Sequence, residues 1–354
     1  MAKLLRGTVP IIEYNSEHFD ALCKFVAQVG INLGLAHRPF VDHYYATKDW
    51  CRLYLYVTDD GNILATYGLE RMRFEYNRCE LTMGFGENFY SVQPGAGGVL
   101  FVHGHRICPI GLVYGGSAST HRLIRARHWM YYSGIRVYTL NDDYAVRTGE
   151  GVFRKLVKSV AREVTRSRVS KYESRIPAVV LKQISVREEK EYTRDLLVLD
   201  SPFALRFTPT LEYLEWRYNT SLSFARYRLF RILQRGRTAG YTVINESPAK
   251  LIIAHCDGMD PEALAYGVLL SILEVARQDF HPRCVVLTSC HPHMQNIYEQ
   301  FGFAMQHPER SFCVGTLEGP VNIAQDTSSW LVNYDWGDNG LRPPFLDQPQ
   351  YAVS

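Results

Sequence analysis

Two periods alternate along the chain. Residues 9–13 (VPIIE) read as a strand, and Asn15 or Ser16 can cap a helix whose apolar residues Phe19, Leu22, Phe25, Val26 and Val29 fall at helical spacing. Arg52–Val57 reads as a strand, Asp59-Asp60-Gly61-Asn62 as a hairpin turn, and 63–74 (ILATYGLERMRF) as its return. A third strand follows at 79–85 (CELTMGF), and FYSV then runs into the glycine-rich QPGAGG. Beyond that loop the pattern predicts a short helix at 99–107, a strand at 110–117, a helix at 120–129 and a closing strand at 135–140.

The same order recurs. Tyr227–Gln234 and 239–245 form a hairpin about Arg235-Gly236-Arg237, and 250–256 (KLIIAHC) is a further strand. A long amphipathic helix at 261–278, a strand at 283–289, a helix at 294–303 ending on Gly302 and a closing strand at 311–317 complete it. One α/β architecture used twice is therefore expected, each copy a mixed, mostly antiparallel twisted sheet flanked by helices.

Between the copies the texture changes. Eleven Lys and Arg lie between Arg154 and Lys190 against four Glu, so 141–190 reads as a basic helical connector. Its basic face is either simply solvated or a surface for an acidic partner such as a carrier protein. The expected organisation is a first domain over 1–140, this connector, a second domain over 191–320, and a tail over 321–354, too rich in Trp and Tyr to be a solvated linker and so packed on the second domain.

At 354 residues the length suits two domains, and 46% hydrophobic residues supply their cores. A net charge of +3 argues for no polyanionic partner, and the aromatic residues are not interleaved with basic ones as a nucleic-acid platform would require. No apolar run is long enough for a membrane span, and the start lacks the apolar core of a signal peptide, so a cytoplasmic protein is expected. The eight cysteines form no CxxC pair and read as reduced thiols. His103, His105 and Cys108, and likewise Cys290, His291 and His293, offer ligand atoms at spacings unlike zinc sites, so no metal is expected. Cys256 beside His255 is a weaker candidate, as a nucleophile.

The double pass resembles the GNAT superfamily of acyl-CoA-dependent N-acyltransferases. That family holds the cofactor pyrophosphate on a loop of pattern Q/R-x-x-G-x-G/A between the fourth strand and the next helix, where glycines admit the phosphate to exposed N–H groups. Gln93-Pro94-Gly95-Ala96-Gly97-Gly98 matches at its first and sixth positions, with Ala96 at the fourth. Thr148-Gly149-Glu150-Gly151 also precedes a helical pattern and is the alternative loop. In the second copy the corresponding segment is Asp260-Pro261-Glu262-Ala263-Leu264-Ala265, with no glycine and two carboxylates.

The family often carries an Asn, a Tyr seven residues later, and Gly-Phe just beyond. The second copy has His291, Tyr298 and Gly302-Phe303 at these places; the first has Ser117 and Ile124. The resemblance implies that Tyr298 is the acid that reprotonates the thiolate, with His255, Asp257, Glu262 or His291 as base or positioning group. Segments 213–218 (YLEWRY) and 330–338 (WLVNYDWGD) look like parts of tandem GNAT proteins from bacterial polysaccharide and natural-product clusters. What the resemblance implies is direct transfer of an acyl group, most simply acetyl from acetyl-CoA, to an amine of a sugar or natural-product intermediate. The alternatives are an acyl-carrier-protein donor, docked on the basic connector, or a non-catalytic binding protein.

Overall fold

The computed structural model describes residues 10–30, 33–140, 169–247, 250–278, 284–307 and 309–336. The first half supplies β1 (Ile11–Glu13), α1 (Phe19–Val29), α2 (Arg38–Ala46), β2 (Cys51–Val57), β3 (Ile63–Tyr76), β4 (Cys79–Ser91), α3 (Ala96–Ile107), β5 (Gly111–Tyr114), α4 (Ala118–Ala126), β6 (Met130–Tyr132) and β7 (Arg136–Leu140). The second supplies α5 (Ala178–Gln183), β8 (Ile184–Glu189), β9 (Leu205–Phe207), α6 (Leu211–Arg217), β10 (Tyr227–Gln234), β11 (Arg237–Glu246), β12 (Lys250–Gly258), α7 (Pro261–Gln278), β13 (Cys284–Ser289), α8 (Pro292–Phe301), β14 (Ala304–Met305) and β15 (Phe312–Gly315).

These strands make two sheets. The first runs β1-β2-β3-β4-β5-β15-β6, with β9 also on β3; the second runs β14-β7-β13-β12-β11-β10-β8. Each is antiparallel except for one central parallel pair, β4 with β5 and β12 with β13.

The closing strands are exchanged. The sequence places 135–140 in the first copy and 311–317 in the second, yet β7 lies between β13 and β14, and β15 lies between β5 and β6. Tyr138, Phe312, Cys313 and Val314 are all fully buried. A short apolar run fits the middle of any sheet, and its periodicity does not say which one. The helix expected over 120–129 stops at Ala126, because His128 takes a left-handed φ of 56° and turns the chain into β6.

Of the basic connector, residues 141–168, and with them the alternative loop at 148–151, lie outside the described residues. Its remainder is helical at 169–173 and in α5. Residues 184–189 are instead an edge strand, and Glu188 and Glu189 of that strand pair with Arg228 and Arg231 of β10. Arg187, Glu188 and Glu189 give the end of this strand a charged texture that reads as part of the connector.

The largest apolar cluster lies between the two sheets. It joins Leu53, Phe74, Phe85 and Leu112 of the first to Leu229, Val243 and Ala254 of the second, with Tyr44, Leu214, Trp330 and Trp336 packed among them. On the other face of the second sheet, α7 and α8 bury Leu264, Val268 and Ile297 against Ile232, Ile253 and Leu287. On the other face of the first sheet α3 packs closely, since a Cβ on Gly104 would stand 2.4 Å from the Tyr67 ring. No helix among the described residues is long and apolar enough to cross a membrane.

Candidate functional site

In each sheet the parallel pair parts. β4 and β5 are joined at Gly84–Gly111 and Phe85–Leu112, and no further. Just beyond, β4 bulges: Glu87 faces Gly68, but the next pair is Tyr90 with Thr66, and Asn88 takes a φ of 46°. The Thr66 hydroxyl donates to the Asn88 carbonyl at 2.8 Å and fixes the bulge. A bulge bends and twists a strand, which carries the end of β4 away from β5.

The loop after β4 leads straight into α3. Gly95, at φ +89°, is the N-cap, and no side chain caps this end. A Cβ on Gly98 would meet nothing within 4 Å, so this turn presents bare backbone. A helix N-terminus built so attracts anions through its N–H groups and dipole. Gln93, Gly95, Ala96, Gly97 and Gly98 are thus assembled at one place.

Two buried side chains flank the parting strands. Glu87 and Tyr114 each stand two residues past the last β4–β5 pair. Glu87 accepts from the Tyr45 hydroxyl at 3.4 Å and the Cys51 thiol at 3.2 Å, and the Tyr114 hydroxyl meets that of Thr288 at 3.1 Å. Burial pushes the Tyr114 phenol well above its ordinary range, so it stays protonated. Neither residue stands out in the sequence; finding them requires the β4–β5 register.

The second sheet's parallel pair runs from Lys250–Cys284 to Ile252–Val286 and then parts. Here both places are filled. The Asp260 carboxylate accepts the Ala263 N–H at 2.7 Å at the start of α7, and residues 330–336 run between the separated strands. The Asp260 carboxylate thus already holds an N–H of this turn, and its charge opposes a pyrophosphate there.

Solved structures of similar fold align over most of the chain. A GCN5-related N-acetyltransferase from Kribbella flavida aligns at TM-score 0.53 and 12% identity, over 87% of this chain and 72% of that one. N-myristoyltransferase of Saccharomyces cerevisiae with bound myristoyl-CoA aligns at 0.53 and 10%, over 89% and 84%. A putative acetyltransferase from Pyrococcus horikoshii aligns at 0.50 and 10%, over 94% and 97%. The chain has the GNAT fold. It is laid out twice, once in each sheet. No family model and no curated protein matches the sequence.

Within this GNAT fold the second copy's candidates do not converge. His255 and Asp257 face the cluster between the sheets, whereas Tyr298 belongs to the cluster under α7 and α8, on the other face of β12. The Tyr298 ring packs on Tyr138 and Phe303, and burial raises its phenol well above the ordinary range. His291 is the N-cap of α8, edge-on to Phe203, and makes no capping bond. Asp257 is buried against Arg206 at 2.8 Å; burial pushes its carboxyl up to about 7, while Arg206 opposes the shift. Among the described residues no three His, Cys, Asp or Glu side chains form a group able to hold a metal ion.

His255 is fully buried, stacked on Tyr218, with Nε2 at 2.9 Å from the Tyr241 hydroxyl. Burial, and then the nearby Arg217 charge, lower its pKa to about 3, so the folded protein holds it neutral. Unfolded, it takes up a proton near pH 6.5. Stability is therefore complete above pH 6.5 and is lost as pH falls towards 3, by about 5 kcal/mol for this residue. The raised carboxyls of Asp257 and Asp335 act in the opposite sense between about pH 4 and 7. In urea titrations across this range, His255→Gln is expected to lose stability with acid less steeply than the parent. Equal slopes would count against a neutral buried imidazole.

A second buried group ties the halves together. Arg217 of α6 reaches Glu70 of β3 at 3.2 Å and Asp335 of the tail at 3.3 Å, with all three side chains about 2% exposed. The Tyr213 hydroxyl also donates to Glu70. Burial raises the Asp335 carboxyl to about 6 despite the guanidinium beside it.

Proposed function

We propose that this protein is an acyltransferase that moves an acyl group, most simply acetyl from acetyl-CoA, to an amine of a sugar or natural-product intermediate. The observation that carries this reading is the uncapped glycine turn of α3, set at the end of β4 beside the strands that part after Phe85 and Leu112. In this reading the donor belongs to the first half, with its pyrophosphate on Gln93–Gly98 and its thioester between β4 and β5. The solved N-myristoyltransferase, of the same fold, was captured with an acyl-CoA.

The amine attacks the thioester carbonyl; a C–N bond forms and the C–S bond breaks. Glu87 takes the amine proton, and Tyr114 gives its own to the leaving thiolate. Glu87 and Tyr114 each stand two residues past the last β4–β5 pair, which puts both beside the parting of these strands. Tyr298, His255, Asp257 and His291 then serve the second half's packing.

Gly98→Glu tests the reading, because the new side chain has room and adds a negative charge where the pyrophosphate would lie. Calorimetry with acetyl-CoA is expected to show affinity reduced at least roughly tenfold, with thermal stability little changed. Glu87→Gln is expected to keep that affinity and lose turnover by about a hundredfold or more in a thiol-release assay. Unchanged binding by Gly98→Glu would remove the donor from this loop. If the parent gives no heat with acetyl-CoA or CoA, the remaining readings are a carrier-bound donor or a non-catalytic protein.

A further inference from the structure

The space between β12 and β13 holds a segment of the chain itself. On the β13 side, the Cys290 thiol donates to the Trp330 carbonyl at 3.1 Å. On the β12 side, Asn333 Oδ1 accepts the Cys256 N–H at 2.8 Å, and Asn333 Nδ2 donates to the Cys256 carbonyl at 3.2 Å. Two residues on, the Asp335 N–H donates to the Ala254 carbonyl at 3.3 Å. A carboxamide that answers both the N–H and the C=O of one strand residue makes the pairing an amide ligand would make with a bare strand edge. Asn333 therefore satisfies the groups through which β12 would otherwise engage a guest.

The segment is also anchored. Trp330 and Trp336, at its two ends, are each 1% exposed, and Asp335 reaches the Arg217 guanidinium. Withdrawing it would uncover two indoles of roughly 200 Å² each and leave Arg217 and Cys256 without these partners. At the other end of the same opening, the Asp260 carboxylate already caps the first turn of α7.

We propose that residues 330–336 are the permanent occupant of the second cleft, so that each chain takes one donor molecule and not two. The count of donors rests on the acyl-CoA reading above; the occupancy does not. A cleft in the second sheet kept filled by its own chain holds that half rigid without any ligand. Among the described residues it leaves the first half's loop as the one donor site.

Hydrogen–deuterium exchange on the full-length protein, with coenzyme A as the probe, tests both parts. The amides of Ala254–Cys256 and 330–336 are expected to exchange slowly, and equally slowly with coenzyme A at saturation. Calorimetry is expected to give one coenzyme A per chain. Asn333→Ala should speed exchange at Cys256 by roughly tenfold while leaving coenzyme A affinity unchanged. Asn333→Leu keeps the size without either polar atom and serves if the alanine variant is poorly folded; it should show the same local acceleration. Two coenzyme A molecules per chain, or tail amides released by coenzyme A, would overturn the proposal. So would fast exchange at Cys256 in the parent. If coenzyme A gives no heat, the donor reading alone falls, and the parent's exchange rates at Cys256 and Asp335 still decide the occupancy.

Discussion

Divided between residues 168 and 169, the chain is expected to give two fragments that do not fold apart and do fold together. The first fragment keeps β5 and β6 but loses β15, which pairs with both. Burial of Phe312 and Val314 alone contributes roughly 3–6 kcal/mol, against a net stability of about 5–15 kcal/mol for a typical domain. The loss also bares the edge of β5 and cuts β6 off from the sheet. The second fragment loses β7, whose Val137 and Tyr138 are buried and which joins β13 to β14. Purified separately, each fragment should lack a cooperative thermal transition; co-expressed, they should co-purify and melt as one. A cooperative melt from either alone would show that the exchanged strands are not needed to complete the sheets.

Replacing Arg217 by methionine is expected to cost about 3–5 kcal/mol, because it strands Glu70 and Asp335 as buried carboxylates. For a chain of this size that lowers Tm by roughly 5 °C. The penalty should shrink at pH 5 relative to pH 8, since the Asp335 carboxyl, raised by burial to about 6, is then protonated. Neutralising all three, as Arg217→Met with Glu70→Gln and Asp335→Asn, should recover most of the loss, because no buried charge remains. Chemical denaturation of the single and triple variants at both pH values decides it. A single variant within 1 kcal/mol of the parent would mean that the carboxylates find other partners.

Much of the fold was legible because it rests on local chemistry. The hairpin of β2 and β3 shows in its alternation and in the Asp59–Asn62 turn; α8 shows in its spacing and its Gly302 stop, where φ is +113°. The Gln93–Gly98 turn was legible for a similar reason, since a φ of +89° at Gly95 calls for glycine. The exchange of β7 and β15 was not, because a strand's apolar residues state that it is buried and not beside whom. Glu87 was hidden because a glutamate in a strand reads as solvated surface; only its register beside the parting of β4 and β5 gives it meaning. The second copy's candidates do not come together: His255 points from β12 into the cluster between the sheets, whereas Tyr298 lies on α8, which packs on the sheet's other face. Aromatic content signals that the tail is buried, but not that Asn333 completes the edge of β12.

The exchanged strand also sets a clock on the ribosome. Val113 of β5 must wait for Cys313 of β15, 200 residues later by their numbers. At roughly 5–20 residues per second, that is about 10–40 s of synthesis. Through that interval the nascent first sheet has a vacant slot beside β5, with apolar side chains on both of its faces. The first half therefore completes its fold only after the second has been made, and until then its open sheet edge can pair wrongly.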